Sequence, residues 1–269
     1  MHHFHLLKTT KVAKETNDSV NIAFEIPPAL KQEFSFKQGQ YLNVRFLAGD
    51  EDLRRSYSIV NAPSEENGEL EILVKHLKDG RVSTILNQQL AAGETIEVSA
   101  PAGHFYTNHH ASNEKTYVGL AAGSGISPVL SNLKEALYQE PKSEAYLFYS
   151  NKSLHDIIFK EEIDALVERF DGRLKVVYLL SREKHFEDEL FEFGQHGKRE
   201  AGFSRIAPEC ASSCQPILCQ DAPDLFPPAS GAWFAARRGR GGCPPDRMHH
   251  QRPWRTRRQH RAGRGRDGP

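Results

Sequence analysis

Through the first hundred residues apolar side chains recur at every second position, and past residue 115 that period changes. Val20, Ile22, Phe24 and Ile26 alternate with other residues, as do Leu42, Val44 and Phe46, then Tyr57 and Ile59, then Leu70, Ile72 and Val74, then Ile96 and Val98. Period two between turn residues (Pro27-Pro28, Gly39, Asn67-Gly68, Gly93) predicts short antiparallel strands closing into a small barrel or sandwich. One helix interrupts them, with Val82, Ile85, Leu86 and Leu90 on one face and Gly93 as its stop. After the polar stretch Thr107–Lys115 come a strand at Thr116–Ala121, a glycine loop, and a helix striped by Val129, Leu130, Leu133 and Leu137. A strand at Ala145–Tyr149, a helix carrying Phe159, Ile163, Leu166, Val167 and Phe170, and a strand at Leu174–Leu180 complete the pattern. Strand–helix alternation of this kind implies a parallel sheet flanked by helices. The expected fold is therefore an antiparallel Greek-key β-barrel over residues 1–110, then a truncated, three-stranded parallel α/β domain over 111–198. A disordered Arg/Gly/Pro-rich tail is expected over 199–269.

Composition marks that last boundary. The net charge is zero, but residues 1–198 carry 15 Lys, 7 Arg and 29 acids, whereas residues 199–269 carry 13 Arg, no Lys and 6 acids. Both tryptophans and all four cysteines (Cys210, Cys214, Cys219, Cys243) also fall in the tail. With no cysteine earlier, no disulfide framework is expected in the ordered part, and a reducing cytoplasm is the expected location. No apolar run reaches the roughly 18–20 residues of a membrane helix, and the N-terminus lacks the apolar core of a secretory signal. His2, His3 and His5 could hold a metal, but a solvated terminus is the expectation, and no metal site is assigned.

Three short stretches carry chemistry. GLAAGSGISP, residues 119–128, lacks the third glycine of G-x-G-x-x-G and the Gly-Lys-Ser/Thr of a P-loop. Ser127 suits an N-cap and Pro128 a first helical position, so the loop should feed a helix N-terminus whose free N–H groups favour an anion. Gly123 and Gly125 would let backbone approach a ligand. Alone, the loop reads equally as a plain strand-to-helix turn. RRSYSI, residues 54–59, should place Arg55, Tyr57 and Ile59 on one strand face, offering a donor fork and a flat ring; alone it is an ordinary edge strand. GRVST, residues 80–84, starts a helix with Ser83 and Thr84, and alone reads as capping.

Together, RxYS on a barrel strand, GxxS at a helix start about 25 residues later, and GxxxGxGxxP after the first α/β strand resemble the ferredoxin–NADP reductase superfamily. Pro101-Ala-Gly-His-Phe105 matches its P-x-G-x-F. The resemblance covers roughly residues 4–192, and the runs FSFKQGQYL, LFYSNKS, IIFKEEIDAL and LLSRE look most like the reductase subunits of the phenylacetyl-CoA epoxidase type. It implies that the barrel holds FAD and the α/β domain holds NADPH. Arg55 would bind the FAD phosphates, Tyr57 would lie against the isoalloxazine, and Ser58 would hydrogen-bond near N5, which makes Tyr57 and Ser58 the catalytic candidates. Val74 and Lys75 would line the flavin through backbone, and Gly80, Val82, Ser83 and Thr84 would meet its pyrophosphate. Gly119, Gly123, Ser124, Gly125 and Pro128 would hold the pyrophosphate and nicotinamide end of NADPH. Asn151 and Ser153 would lie near the adenosine ribose, and Ser181 and Arg182 would meet a 2′-phosphate, favouring NADPH over NADH. Hydride would pass to the flavin, and electrons would leave singly to an iron–sulfur protein or an oxygenase component.

The resemblance stops before the family's Cys-Gly-Pro strand and before the [2Fe–2S] domain that the epoxidase type adds. The four cysteines do not follow C-x4-C-x2-C, so no cluster is expected in this chain. Two readings compete for the tail: a natural basic segment binding nucleic acid, or a shift of reading frame. The joint loss of lysine, periodicity and resemblance favours the shift. The function expected is an NADPH-dependent flavin reductase; the alternatives are a catalytically impaired flavin-binding remnant and, less favoured, a nucleic-acid-binding tail.

Overall fold

A computed structural model describes residues 3–48, 50–65, 69–183, 191–193 and 215–218. The chain divides at residue 238; the second unit, Gly239–Pro269, lies outside the described residues. So does most of the arginine-rich stretch, with Cys210, Cys214, Cys219 and Cys243.

Six strands form the first half: β1 (Phe4–Thr16), β2 (Ser19–Glu25), β3 (Tyr41–Ala48), β4 (Glu51–Ser58), β5 (Glu69–Lys75) and β6 (Thr95–Ser99). All pair antiparallel, in the order β4-β3-β6-β1-β2-β5. The outer strands then meet where the chain leaves β4: Ile59 bridges Ile72, and Val60 N–H donates to Glu71 O at 2.9 Å. That closure makes the sheet a barrel and removes its open edges. The alternating residues fill it, with Val20, Ile22, Phe24, Leu42, Val44, Ile59, Leu70, Ile72, Val74, Ile96 and Val98 all buried in one core. Helix α1 (Arg81–Gln88) adds Val82 and Leu86 to that core. Past it, Gly93 adopts φ +96°, a conformation that side-chain-bearing residues rarely hold, and its N–H donates to Thr9 O.

The second half is a parallel sheet of β7 (Thr116–Ala122), β8 (Glu144–Asn151) and β9 (Leu174–Leu180), connected by α2 (Ile126–Gln139) and α3 (Lys160–Arg169). Two short strands extend it: β10 (Phe191–Phe193) beside β9 and β11 (Gln215–Leu218) beside β7. The expected three-stranded unit is thus corrected to five strands in the order β10-β9-β8-β7-β11, and the domain takes a strand from beyond residue 198. QPIL offers only a four-residue apolar signal, and its proline is tolerated because β11 is an edge strand. Chain order reverses direction across β7, and such a switch point at the carboxyl ends of parallel strands is where ligands bind open α/β sheets.

The linker into this half is anchored by a buried carboxylate. Glu140, after α2, is fully enclosed; its oxygens accept from Tyr117 Oη (2.9 and 3.0 Å), Asn113 Nδ2 (2.6 Å) and Ser143 Oγ (2.7 Å), with His109 Nδ1 at 3.0 Å and Lys115 Nζ at 4.0 Å. Burial pushes its pKa up, but the hydrogen bonds from Asn113, Ser143, His109 and Tyr117 prevail and hold it below the ordinary 4.5. A carboxylate so depressed contributes stability that is fully present above pH 4.5 and lost as pH falls through its folded pKa. A Glu140→Gln chain is therefore expected to melt lower at neutral pH and to lose less further stability than wild type on acidification below pH 4.5. Melting curves of both chains across that interval check this; parallel losses would assign the acid sensitivity to another group.

Candidate cofactor site

On the barrel side, β4 carries Arg55, Tyr57 and Ser58, paired with Val44, Leu42 and Tyr41 of β3. The two adjacent arginines differ. Arg54 is bound by Asp52 at 2.6 Å, whereas exposed Arg55 donates Nη1 to the Arg54 carbonyl (2.7 Å) and forms no ion pair among the described residues. Its remaining guanidinium donors can serve a phosphate. Tyr57 packs against the barrel core, and burial pushes its hydroxyl up to about 12, with the Arg55 charge opposing. It remains a neutral phenol at physiological pH and presents a flat ring.

Gly80 caps α1, and a Cβ there would stand 2.5 Å from Ser83 Oγ. Ser83 and Thr84 turn inward: Ser83 Oγ donates to Gly80 O and accepts from Leu77 N–H, while Thr84 Oγ1 donates to Gly80 O at 2.7 Å. The hydroxyls thus build the turn. The first-turn N–H groups, including those of Val82 and Ser83, have no acceptor within a helix. Val74 is buried and its carbonyl accepts from Asn87 Nδ2; Lys75 pairs with Asp18 at 3.1 Å.

On the α/β side, β7 runs into a 3-10 turn at Gly123–Gly125. Gly123 has φ +49°, and a Cβ on it would meet nothing within 4 Å, so the backbone demands glycine and the space beside it is open. Its carbonyl accepts from the buried Tyr149 hydroxyl of β8 at 2.9 Å. Ser124 is exposed and Gly125 is buried as the helix cap. The expectation for Ser127 and Pro128 is corrected: because the 3-10 turn starts the coil early, α2 begins at Ile126, Ser127 Oγ donates to Ser124 O, and Pro128 lies inside the first turn. Gly119 lies beneath α2, where a Cβ would stand 2.8 Å from both Val129 Cγ1 and Leu133 Cδ1, so helix–sheet packing by itself requires glycine there.

The ends of β8 and β9 join the same edge. Ser181 and Arg182 are exposed, and their N–H groups donate to Asn151 O and Lys152 O. Glu183 Oε1 accepts from Leu154 N–H at 2.7 Å, tying the two strand ends together. Ser153 Oγ donates to Asp156. The Asn151 side chain is enclosed and approaches the Tyr149 hydroxyl without forming a well-aligned hydrogen bond. The glycine turn, Ser153, Ser181 and Arg182 therefore share the carboxyl edge of the sheet, and β5 lies against the glycine turn from the barrel side.

Sequence reasoning missed what joins the halves. Val60 and Leu73 of the barrel pack into the α/β core. Lys134, on α2, is nearly enclosed, held by Glu65 (2.9 Å) and Glu162 (2.7 Å). Burial would lower its pKa, but these two carboxylates raise it. Polar residues inside a helix stripe were the available signal: Ser131, Asn132, Lys134 and Glu135 lie among Leu130, Leu133 and Leu137. Far away, His5 Nε2 meets His3 Nδ1 at 3.0 Å and Glu33 Oε1 at 2.8 Å, while His2 is outside the described residues.

Residues 4–106 match the oxidoreductase FAD-binding domain family, and residues 120–192 match the oxidoreductase NAD-binding domain family. The chain is 35% identical over 180 residues to one subunit of the 1,2-phenylacetyl-CoA epoxidase from Escherichia coli K12, covering 67% of this chain and 50% of that protein. It is 35% identical over 176 residues to the ferredoxin reductase component of 3-ketosteroid-9-alpha-monooxygenase from Rhodococcus rhodochrous, covering 65% and 49%. The chain thus spans about half the length of these relatives. A ferredoxin NADP+ reductase from Neisseria gonorrhoeae, solved with FAD and NADP bound, shares the fold with a TM-score of 0.60 at 24% identity, over 76% of each chain.

Proposed function

We propose that this chain, a ferredoxin–NADP reductase-like oxidoreductase with an FAD-binding domain followed by an NAD-binding domain, draws electrons from NADPH and delivers them to an iron–sulfur protein or oxygenase component. The observation that carries the reading is that β5 of the barrel lies against the open Gly123–Gly125 turn, with an Arg55 that has no ion pair among the described residues and a half-buried Tyr57 on β4 of the same barrel. Bound FAD and NADPH supply the hydride and one-electron chemistry themselves. The chain's part is binding and orientation. Arg55 offers its fork to the flavin pyrophosphate, the first-turn amides of α1 take the same charge, and the Tyr57 ring supports the isoalloxazine beside Ser58. The amides around Gly123–Gly125 receive the nucleotide pyrophosphate at a helix N-terminus. Exposed Arg182, with no ion pair among the described residues, and Ser181 suit a 2′-phosphate dianion, which supports NADPH over NADH. Delivery to an oxygenase system draws support from the two relatives, one an epoxidase subunit and one a monooxygenase's reductase component. No helix among the described residues is long and apolar enough to cross a membrane.

Purification and anaerobic titration test the reading. The chain is expected to be yellow and to bleach on addition of NADPH. A yellow chain indifferent to both reduced nucleotides would instead be a flavin-binding remnant. Arg182→Ala is expected to raise KM for NADPH by about 10-fold or more, the worth of one charged hydrogen bond, while KM for NADH stays put. Equal effects on both nucleotides would remove Arg182 from the 2′-phosphate.

A further inference from the structure

We infer that Ser131 and Asn132 of α2 are positioning residues that fix the nucleotide turn at its working distance from the flavin strand; the inference rests on the proposed transfer from NADPH to FAD. Both are fully buried. Ser131 Oγ donates to Asn61 O at 2.7 Å and accepts from Gly39 N–H at 3.2 Å. Asn132 Nδ2 donates to Phe105 O at 3.0 Å and to Pro128 O, one turn back, at 2.8 Å. One turn further on, Glu135 Oε2 accepts from Ser64 N–H at 2.9 Å. Three separate barrel segments, around Gly39, Asn61–Ser64 and Phe105, are thus held to one helix through their backbone.

The choice of residue types is informative. A buried interface needs no polar atoms to cohere, and among the described residues the enclosed Asn132 Oδ1 has no hydrogen-bond partner, a cost that an apolar side chain would avoid. Hydrogen bonds are directional where apolar contacts slide, so this set defines the rotation and register of α2 against the barrel. The path between the reacting parts is short. Asn61 follows Tyr57 by four residues through Ile59 and Val60, both buried; Ser131 follows Gly125 by six along one rigid helix. Hydride transfer requires the two rings within about 3–3.5 Å, and a misplacement of about 1 Å costs about 100-fold. The brace sits where such a misplacement would arise.

The test compares Ser131→Ala and Asn132→Leu with wild type. Limiting rates of flavin reduction by NADPH are expected to fall about 10- to 100-fold, with the NADPH Kd and the rate of flavin reoxidation by ferricyanide unchanged. Ser131→Thr, which keeps the hydroxyl, is expected to restore most of the rate. In the cofactor-free chain, hydrogen exchange at the Gly39 amide is expected to accelerate in Ser131→Ala, because that amide loses its acceptor. If Asn132→Leu fails to fold, Ser131→Ala carries the comparison alone. Variants that melt lower yet reduce at the wild-type rate would overturn the inference and leave the function standing. A wild-type chain that binds FAD but is not bleached by NADPH would overturn the function, and the inference with it.

Discussion

A Gly39→Ala chain is expected to lose about twice as much stability as a Gly123→Ala chain. Gly39 has φ +73°, and an added Cβ would stand 2.1 Å from the Phe105 carbonyl oxygen and 2.4 Å from Asn132 Nδ2. The first neighbour is backbone, which cannot step aside as a side-chain tip can. Left-handed backbone costs about 1–2 kcal/mol for an L-residue, and overpacking typically adds about 1–3 kcal/mol. For a chain of this size each kcal/mol lowers the melting midpoint by about 2–4 °C. Gly123→Ala has the same conformational cost but no obstructing atom. It should lose only the backbone share, about 1–2 kcal/mol. Urea unfolding of the two variants measures the difference directly, and equal losses would mean that Gly39 is not a point of close approach between the halves.

Arg55→Glu is expected to yield a folded but colourless protein. Arg55 is exposed on β4 and, among the described residues, is bonded only to the neighbouring carbonyl, so its removal should leave the barrel core intact. Loss of a charged hydrogen bond to phosphate weakens binding by about 10- to 100-fold, and reversed charge adds repulsion to that. The FAD-to-protein ratio after purification and the Kd for added FAD report the effect. Arg54→Ala is the control: Arg54 is held by Asp52 and lies over the Phe4 ring, so FAD content should stay at the wild-type level. If the Arg54 substitution strips the flavin and the Arg55 one does not, the strand face has been assigned backwards.

The barrel was legible because alternation is a local signal, and closure follows once six strands each have an apolar face. Val20, Ile22, Phe24, Ile72 and Val74 are all core residues, as period two requires. The glycine turn was legible for the same local reason, since a strand entering a helix needs a tight bend. Roles that depend on packing partners far along the chain were not. Gly119 reads as part of a phosphate loop, yet its requirement comes from Val129 and Leu133 lying on top of it. Ser83 and Thr84 read as phosphate donors, yet Gly80 and Leu77 engage their hydroxyls. Ser131 and Asn132 read as flaws in an apolar stripe, because Gly39, Asn61 and Phe105 come from elsewhere in the sequence. β11 carries too few residues to show any period.

The pairing of β11 with β7 also decides how the α/β half meets its surroundings. β7 has a hydrogen-bonded neighbour on each side only because Gln215–Leu218 lies along it from Tyr117 to Leu120. A chain ending at residue 198 would leave that side of β7 bare, with Tyr117 and Val118 buried and the adjoining backbone unpaired. An unpaired apolar strand is a template for another chain's strand. Four residues from beyond the strand–helix repeats thus move the sheet's edge from apolar β7 to a short strand interrupted by a proline.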